Sequence, residues 1–400
     1  MTRIVVVYDV GAADLREIQT GLSRLGTVAY ALPEPVDSRL AALVGQFGEV
    51  VALPDVDRLR PDAVLTFSER QLRRTAALTD RLGLPGHTPA TAVLLTDKRA
   101  QRARLTAADV DRVRSAVVHG PQDWAEAVAA VGLPAVLKPV RGEGSSRTYL
   151  IDSAADVPLA GDGPFVLEEF LVGRDATPFG DYVSVESVVA HGQVSHLAVT
   201  GKFPLLPPFR ERGHFWPAVL HDGEHERILD LTGRALRALG VRTGLAHTEI
   251  KLTPDGPRLI EVNGRLGGFV NELSIRAAGV DLVELAGRAA LGEPAGVDPV
   301  RPDRVHFLHN HPSPPFGYRL REVRGVAEAR RVPGITGYRR VVPPNATMDA
   351  DVMTRPMDAL AGEAAGHEHM GQVLTHARRC LTFVFEVGGE LIEIPGDALP

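Results

Sequence analysis

Glu249, Glu261 and Asn263 are the residues whose types and spacing point most directly to chemistry. They lie in segments 247–252 and 258–263, which read as two strands separated by Thr253-Pro254-Asp255-Gly256. Proline, aspartate and glycine in that order suit the common three-residue hairpin loop, Pro254-Asp255-Gly256. Thr253 then faces Pro257, and counting outward sets Glu249 opposite Glu261. A slip of one residue would send one strand's side chains to the other face. Two facing carboxylates repel, so a positive charge belongs between them. Glu261 and Asn263 share one face by the two-residue period. Three oxygen donors, two of them anionic, suit magnesium, with manganese as the alternative ion; water and nucleotide phosphates would complete its shell. The other reading is a solvated strand face whose acids are neutralised by Lys251 and Arg265.

Two further groups suit phosphate. Lys138 interrupts the apolar strand 135–139, where an ammonium is costly without an anionic partner. The turn Arg141-Gly142-Glu143-Gly144-Ser145-Ser146 follows at once. Gly142 and Gly144 let backbone N–H groups approach a phosphate, and Ser145 and Ser146 add hydroxyl donors. The turn is not a Walker A loop, because no Gly-Lys-Ser/Thr opens a helix, and by itself it also reads as a plain hairpin tip. Lys98 stands at the start of a helix that Thr96 or Asp97 caps. A cation there opposes the helix dipole, which a nearby anion would explain.

These residues need elements to hold them. Strands at 4–8 and 63–67 alternate with helices at 15–25 and 71–82, the pattern of an open α/β sheet. No Gly-x-Gly-x-x-Gly follows Asp9, which argues against a dinucleotide there. A second, α+β section begins near Arg114, with a helix at 121–131, the Lys138 strand and strands at 165–171 and 182–189. A larger mixed region follows from Lys202, with helices at 228–239 and 280–291; short strands and a helix at 370–379 end the chain. The 400 residues are 44% hydrophobic and 24% charged, as in a soluble globular protein of two or three modules. A net charge of −6 gives no footprint for nucleic acid or an anionic membrane surface. No apolar run reaches the roughly 18 residues of a membrane span. The single cysteine, Cys380, excludes an internal disulfide framework. With no signal-peptide pattern at the start, the expected location is the cytoplasm.

Taken in order, these pieces resemble the ATP-grasp superfamily from about residue 90 to 270. The matching series is Asp97-Lys98, Lys138 with Gly142–Ser146, a hinge over 167–171, Ser184-Val185-Glu186, and Glu249…Glu261-Val262-Asn263-Gly264-Arg265. Within the superfamily, Thr200-Gly201-Lys202-Phe203, 209–217 and 261–269 are similar to the L-amino-acid ligases, which join amino acids into dipeptides. The resemblance implies an N-terminal α/β domain at 1–95, a connecting helix at 96–113, a lid at 114–201 that closes over ATP, a catalytic subdomain at 202–300 and a small β-rich end at 301–400.

It also implies roles. Lys98 and Lys138 hold ATP phosphates, and Glu168 meets the adenine amino group, with Glu169, Phe170 and Leu171 completing the adenine edge. Asp175 and Asp181 compete for the ribose. The resemblance further implies an ATP-dependent carboxylate–amine ligase working through an acyl phosphate, with Lys138 beside the metal. Arg265 forks onto the acyl phosphate or the substrate carboxylate. His214 contacts the acyl phosphate or helps deprotonate the amine, Glu211 meets a substrate amino group, and Gly268 and Phe269 line the amine pocket. The partners are then a small carboxylate and a small amine, in a homodimer. Rival readings are another ATP-grasp branch, with bicarbonate or a nucleotide precursor as acceptor, and a non-catalytic nucleotide-binding module. His306, His309 and His311 read as substrate-side loop or surface, not as a zinc motif.

Overall fold

The computed structural model describes residues 1–156 and 163–399. The chain divides into two compact units: residues 1–113, 184–199 and 220–300, and residues 114–183, 200–219 and 301–400.

The first unit opens with a four-stranded parallel sheet in the order Glu49–Ala52, Thr27–Leu32, Arg3–Val7, Ala63–Leu65. Ile4, Val5, Val6 and Val7 are fully buried, as β-branched runs in parallel sheets are when both faces are covered. Helix Leu15–Leu22 starts at a capping box in which the Asp14 carboxylate takes the Glu17 N–H and Glu17 reaches back to the Asp14 N–H. Helix Leu282–Ala290 packs on it through Gly287, where a Cβ would stand 2.6 Å from both Leu22 and Leu25 side chains. In the same unit, strand Gly256–Asn263 forms a sheet edge, followed by Gly244–Thr253 and by residues 184–190 and 193–199 of the next two strands. Helix Glu224–Ala238 packs against Gly256–Asn263.

The second unit contains an antiparallel sheet in the order Ser115–Val118, Phe165–Glu169, Ala135–Pro139, Tyr149–Ile151. Helix Trp124–Val131 covers it, and Trp124, Val131, Leu137, Phe165 and Leu167 form its core. Elsewhere in the unit the end of Gln193–Lys202 pairs with Gly213–Trp216, and Val305–His309, Asp358–Ala364 and Ile335–Arg340 follow in order. Helix His367–Cys380 and the strands Tyr318–Arg324 and Thr382–Val387 complete a core built on Phe307, Phe383, Phe385 and Met370.

Read as substrate-side loop or surface, His309 and His311 are instead buried, at 2% and 1% exposed, and His309 ends strand Val305–His309. His311 Nδ1 and its backbone N–H both reach Asp358 Oδ1, at 2.8 and 3.1 Å. Burial first, then His311, Arg212 and Arg378, holds the His309 pKa well below the ordinary imidazole value. The unfolded chain takes a proton on His309 near pH 6.5, while the folded chain does not. Stability is therefore lost as pH falls below about 6.5, by up to about 1.4 kcal/mol per pH unit for one proton. His87 and His196, also lowered mainly by burial, act in the same sense. Urea unfolding at pH 7 and pH 5 is expected to show this loss, and His309→Asn is expected to reduce it.

Candidate active site

In the first unit, the hairpin reaches the expected pairing by an unexpected route. Thr253 pairs with Gly256, not Pro257, so only Pro254 and Asp255 lie in the turn. Gly256 has φ +122°, which glycine adopts without strain. Lys251 faces Arg258 and Ile250 faces Leu259; a bulge then absorbs Ile260, and Glu249 faces Glu261. Without the bulge, Glu249 would face Ile260. His247 faces Asn263 two residues on, so both acids, the imidazole and the amide share one face.

A positive charge does stand at the acids. Lys98 Nζ is 2.8 Å from Glu261 Oε1. Asp97 is the cap of helix Lys98–Ala107, taking the Ala100 N–H at 3.0 Å, while Thr96 donates to the Ala92 carbonyl. Glu261 is the anion that offsets an ammonium in a first helical turn. Of the two neutralisers expected, Lys251 faces Arg258, and Arg265 lies with its Nε 3.0 Å from Glu69 Oε2. Glu69 is 7% exposed and sits on the 3-10 turn Glu69–Gln71 after strand Ala63–Leu65. Nothing in its sequence spacing signalled this.

His247 stands between two carboxylates. Its Nδ1 is 2.7 Å from Glu186 Oε1 and its Nε2 is 3.4 Å from Glu249 Oε1. Ser184 Oγ donates to Glu186 at 3.1 Å. Such a row orients a metal-binding carboxylate from behind. The residues present fit a hard cation: two facing carboxylates and the Asn263 amide, whose nitrogen leans to the His247 carbonyl at 3.5 Å and leaves its oxygen as the donor. Among the described residues no cluster of three or more His, Cys, Asp or Glu forms a closed metal cage. Few protein ligands is the habit of magnesium on nucleotide phosphates. Gly268 is exposed, and Phe269 is half-buried with φ +61° at the start of helix Val270–Ala278. A left-handed phenylalanine is an outlier of the kind that marks functional sites.

In the second unit, Lys138 and Glu168 are 7% and 4% exposed, and Lys138 Nζ is 2.9 Å from Glu168 Oε2. Val136 faces Glu168 across the strands, so Lys138 lies diagonally opposite on the same face. The pair explains how an apolar strand tolerates a lysine. The glycine turn joins Ala135–Pro139 to Tyr149–Ile151 as a hairpin. Gly142, Gly144 and Ser145 all have positive φ, and the turn is docked: Thr354 N–H donates to the Gly144 carbonyl and Arg147 N–H to the Val352 carbonyl. Thr354 Oγ1 also takes the Glu211 N–H at 3.0 Å.

The hinge is partly spent on its own structure. Glu169 N–H donates to the Arg114 carbonyl and Phe170 N–H to the Pro134 carbonyl, while the Glu169 carboxylate holds Arg114. Asp175 is exposed and takes the Thr177 N–H, which lowers its pKa. Asp181 packs against Gly173, just past the hinge. His214 is 3% exposed on strand Gly213–Trp216, opposite Lys202 and Leu308. A Cβ on Gly213 would stand 2.1 Å from the Leu308 carbonyl oxygen, so glycine is required beside His214. Lys202, buried at 2%, has its Nζ 3.7 Å from Glu211 Oε2 and lies over the Tyr182 ring.

No protein-family model matches the chain. The alanine–anticapsin ligase of Bacillus subtilis is 29% identical over 249 residues, 56% of this chain and 52% of that protein. Carnosine synthase 1 of Gallus gallus is 33% identical over 62% of this chain and 28% of its own length. The D-alanine–D-alanine ligase of Aromatoleum aromaticum is 28% identical over 48% of this chain and 64% of that protein. The chain thus spans about half the length of the alanine–anticapsin ligases it matches. Among solved structures, the L-amino acid ligase from Bacillus licheniformis superposes with a TM-score of 0.79 at 20% identity, covering 98% of both chains. The N5-carboxyaminoimidazole ribonucleotide synthetase from Thermotoga maritima gives 0.72 at 16% identity, over 96% of this chain and 99% of that one. The chain has the ATP-grasp fold, and in sequence it resembles the amino-acid ligases of that superfamily.

Proposed function

We propose that this protein is an ATP-dependent ligase that joins the carboxylate of one amino acid, or a similar small acid, to the amine of another. The observation that carries this is the facing pair Glu249 and Glu261 beside Asn263, with Lys98 against Glu261. Magnesium, when bound, supplies charge neutralisation on the phosphates. Glu249, Glu261 and Asn263 hold it, and Lys98 exchanges Glu261 for a phosphate oxygen. Lys138 and the N–H groups of the glycine turn bind phosphates as well. Glu168 accepts from the adenine amino group. With the Glu169 and Phe170 N–H groups already used, Leu171 N–H and the hinge carbonyls read the rest of that edge. Asp175 or Asp181, the two acids after the hinge, takes the ribose.

The acid's oxygen attacks the γ-phosphorus, the bond to ADP breaks, and an acyl phosphate forms. The amine nitrogen then attacks the acyl carbon, the proton it loses passes to His214 or to water, and phosphate leaves as the amide forms. Phosphoryl transfer needs mostly positioning and charge. Arg265 holds the acyl phosphate oxygens, and His214 contacts the acyl phosphate or helps deprotonate the amine. Glu211, held near Lys202, receives the substrate amino group, and Phe269 walls the amine pocket. Relatives named as alanine–anticapsin ligase and carnosine synthase support amino-acid substrates.

The test is a substrate panel scored by ADP release and product mass. Pairs of amino acids are expected to release ADP and give a product equal to the pair less one water. Turnover with bicarbonate alone would assign another branch. Tight ATP binding with no ADP across the panel would make the chain a binding module.

A further inference from the structure

The helix that presents Lys98 also grips the strand that carries Glu261. Gln101 and Arg102, 3% and 5% exposed, both reach the backbone of the edge strand Gly256–Asn263. Gln101 Nε2 donates to the Val262 carbonyl at 2.8 Å, and Val262 N–H donates to Gln101 Oε1 at 2.9 Å. The side-chain amide thus pairs with the edge as a neighbouring strand would. The Arg102 guanidinium donates to the Leu259 carbonyl at 2.8 Å and to the Ile260 carbonyl at 2.6 Å.

Those two acceptors bracket the bulge. Leu259 is the last residue in the register set by the turn, and Ile260 is the extra one. In a regular strand successive carbonyls point to opposite edges, so no single group takes both. Here one planar guanidinium does, because the bulge swings both oxygens to the same side. The carbonyls face away from the hairpin partner on an edge strand, and burying them unpaired would be costly.

We infer that Arg102, with Gln101 beside it, is a positioning residue: it holds the Ile260 bulge and thereby keeps Glu261 facing Glu249. The bulge has a competitor of the same length. If the turn register ran on unbroken, Ile260 would face Glu249, and Glu261 would point to the other side. The two registers differ in whether both acids share a face, and the Arg102 fork fits only the bulged one. Lys98 rides on the same helix, so one rigid element sets both the Glu261 carboxylate and its counter-charge. Lysine cannot replace the fork, having one donor centre where two carbonyls must be met.

This inference rests on the reading of Glu249 and Glu261 as a metal pair, and the test separates the two. ADP binding is measured by calorimetry with magnesium and with EDTA, on the full chain, for wild type, Arg102→Gln, Arg102→Lys and Leu105→Val. Leu105 is 1% exposed on the same helix, and Leu105→Val serves as a packing control. The readout is the magnesium gain, the ratio of the two dissociation constants. Wild type is expected to show a clear gain. Arg102→Gln should lose about 10-fold of it, the scale for residues that orient metal ligands, with EDTA binding little changed. Arg102→Lys, which keeps the charge and one donor, should fold if Arg102→Gln does not and lose part of the gain. Leu105→Val should keep it. An undiminished gain in both Arg102 variants, or equal loss in Leu105→Val, overturns the positioning role. No gain in wild type overturns the metal pair itself and the inference with it.

Discussion

Glu261→Ala is expected to remove ATP turnover and leave the chain folded. Glu261 stands on an edge strand with its side chain 16% exposed, so losing it opens no core cavity. Its loss removes one of two facing carboxylates and takes one anionic contact from Lys98, which is 10% exposed and can still reach water. The expected change in thermal midpoint is therefore small. The catalytic cost is larger, because metal neutralisation of transferring phosphate is worth several kcal/mol, about 10³-fold or more in rate. Amino-acid-dependent ADP release, measured alongside the melting curve, checks this. Wild-type turnover from the folded variant would sink the metal assignment.

Arg265→Lys is expected to lower kcat by about 10²-fold, on the scale of one removed donor at a developing charge. The Glu69 carboxylate lies 3.0 Å from the guanidinium, and one terminal nitrogen donates to the Leu266 carbonyl at 2.9 Å. A lysine keeps a charge for Glu69 but has no plane to aim and no fork for an acyl phosphate. Fold and melting point should survive. Arg265→Ala is a different experiment, since it leaves the 7%-exposed Glu69 carboxylate without this partner. Breaking a buried pair in that way costs about 3–5 kcal/mol. If Arg265 only balances Glu69, Arg265→Lys will turn over normally, and the kcat and KM of that variant decide the point.

The local parts of the site were legible. A helix cap at Thr96 or Asp97, Lys138 within an apolar strand, and Gly142 and Gly144 at a turn each follow from neighbours in the chain. Strand 135–139 is where its residue types place it. The anion wanted by Lys98 was legible as a need, and Glu261 answers it. Which acid follows the hinge was not legible. Both lie just past the hinge, where the exposed Asp175 turns onto Thr177 and the half-buried Asp181 packs on Gly173.

The hairpin draws the line most sharply. From sequence alone, alternation, a Pro-Asp-Gly turn and the types of Glu249, Glu261 and Asn263 already put two acids opposite one another. The turn was read one residue too long, and the pairing still came out right because a bulge at Ile260 supplies the missing residue. Only the tertiary structure decided that bulge, because what stabilises it is Arg102, 158 residues upstream of Ile260. Glu69 on Arg265 and Glu186 on His247 were hidden for the same reason. Caps, turns and periods are short-range and leave a mark within a few residues. A buried polar partner is chosen by which atoms the fold leaves in need of one, and no local spacing records that choice.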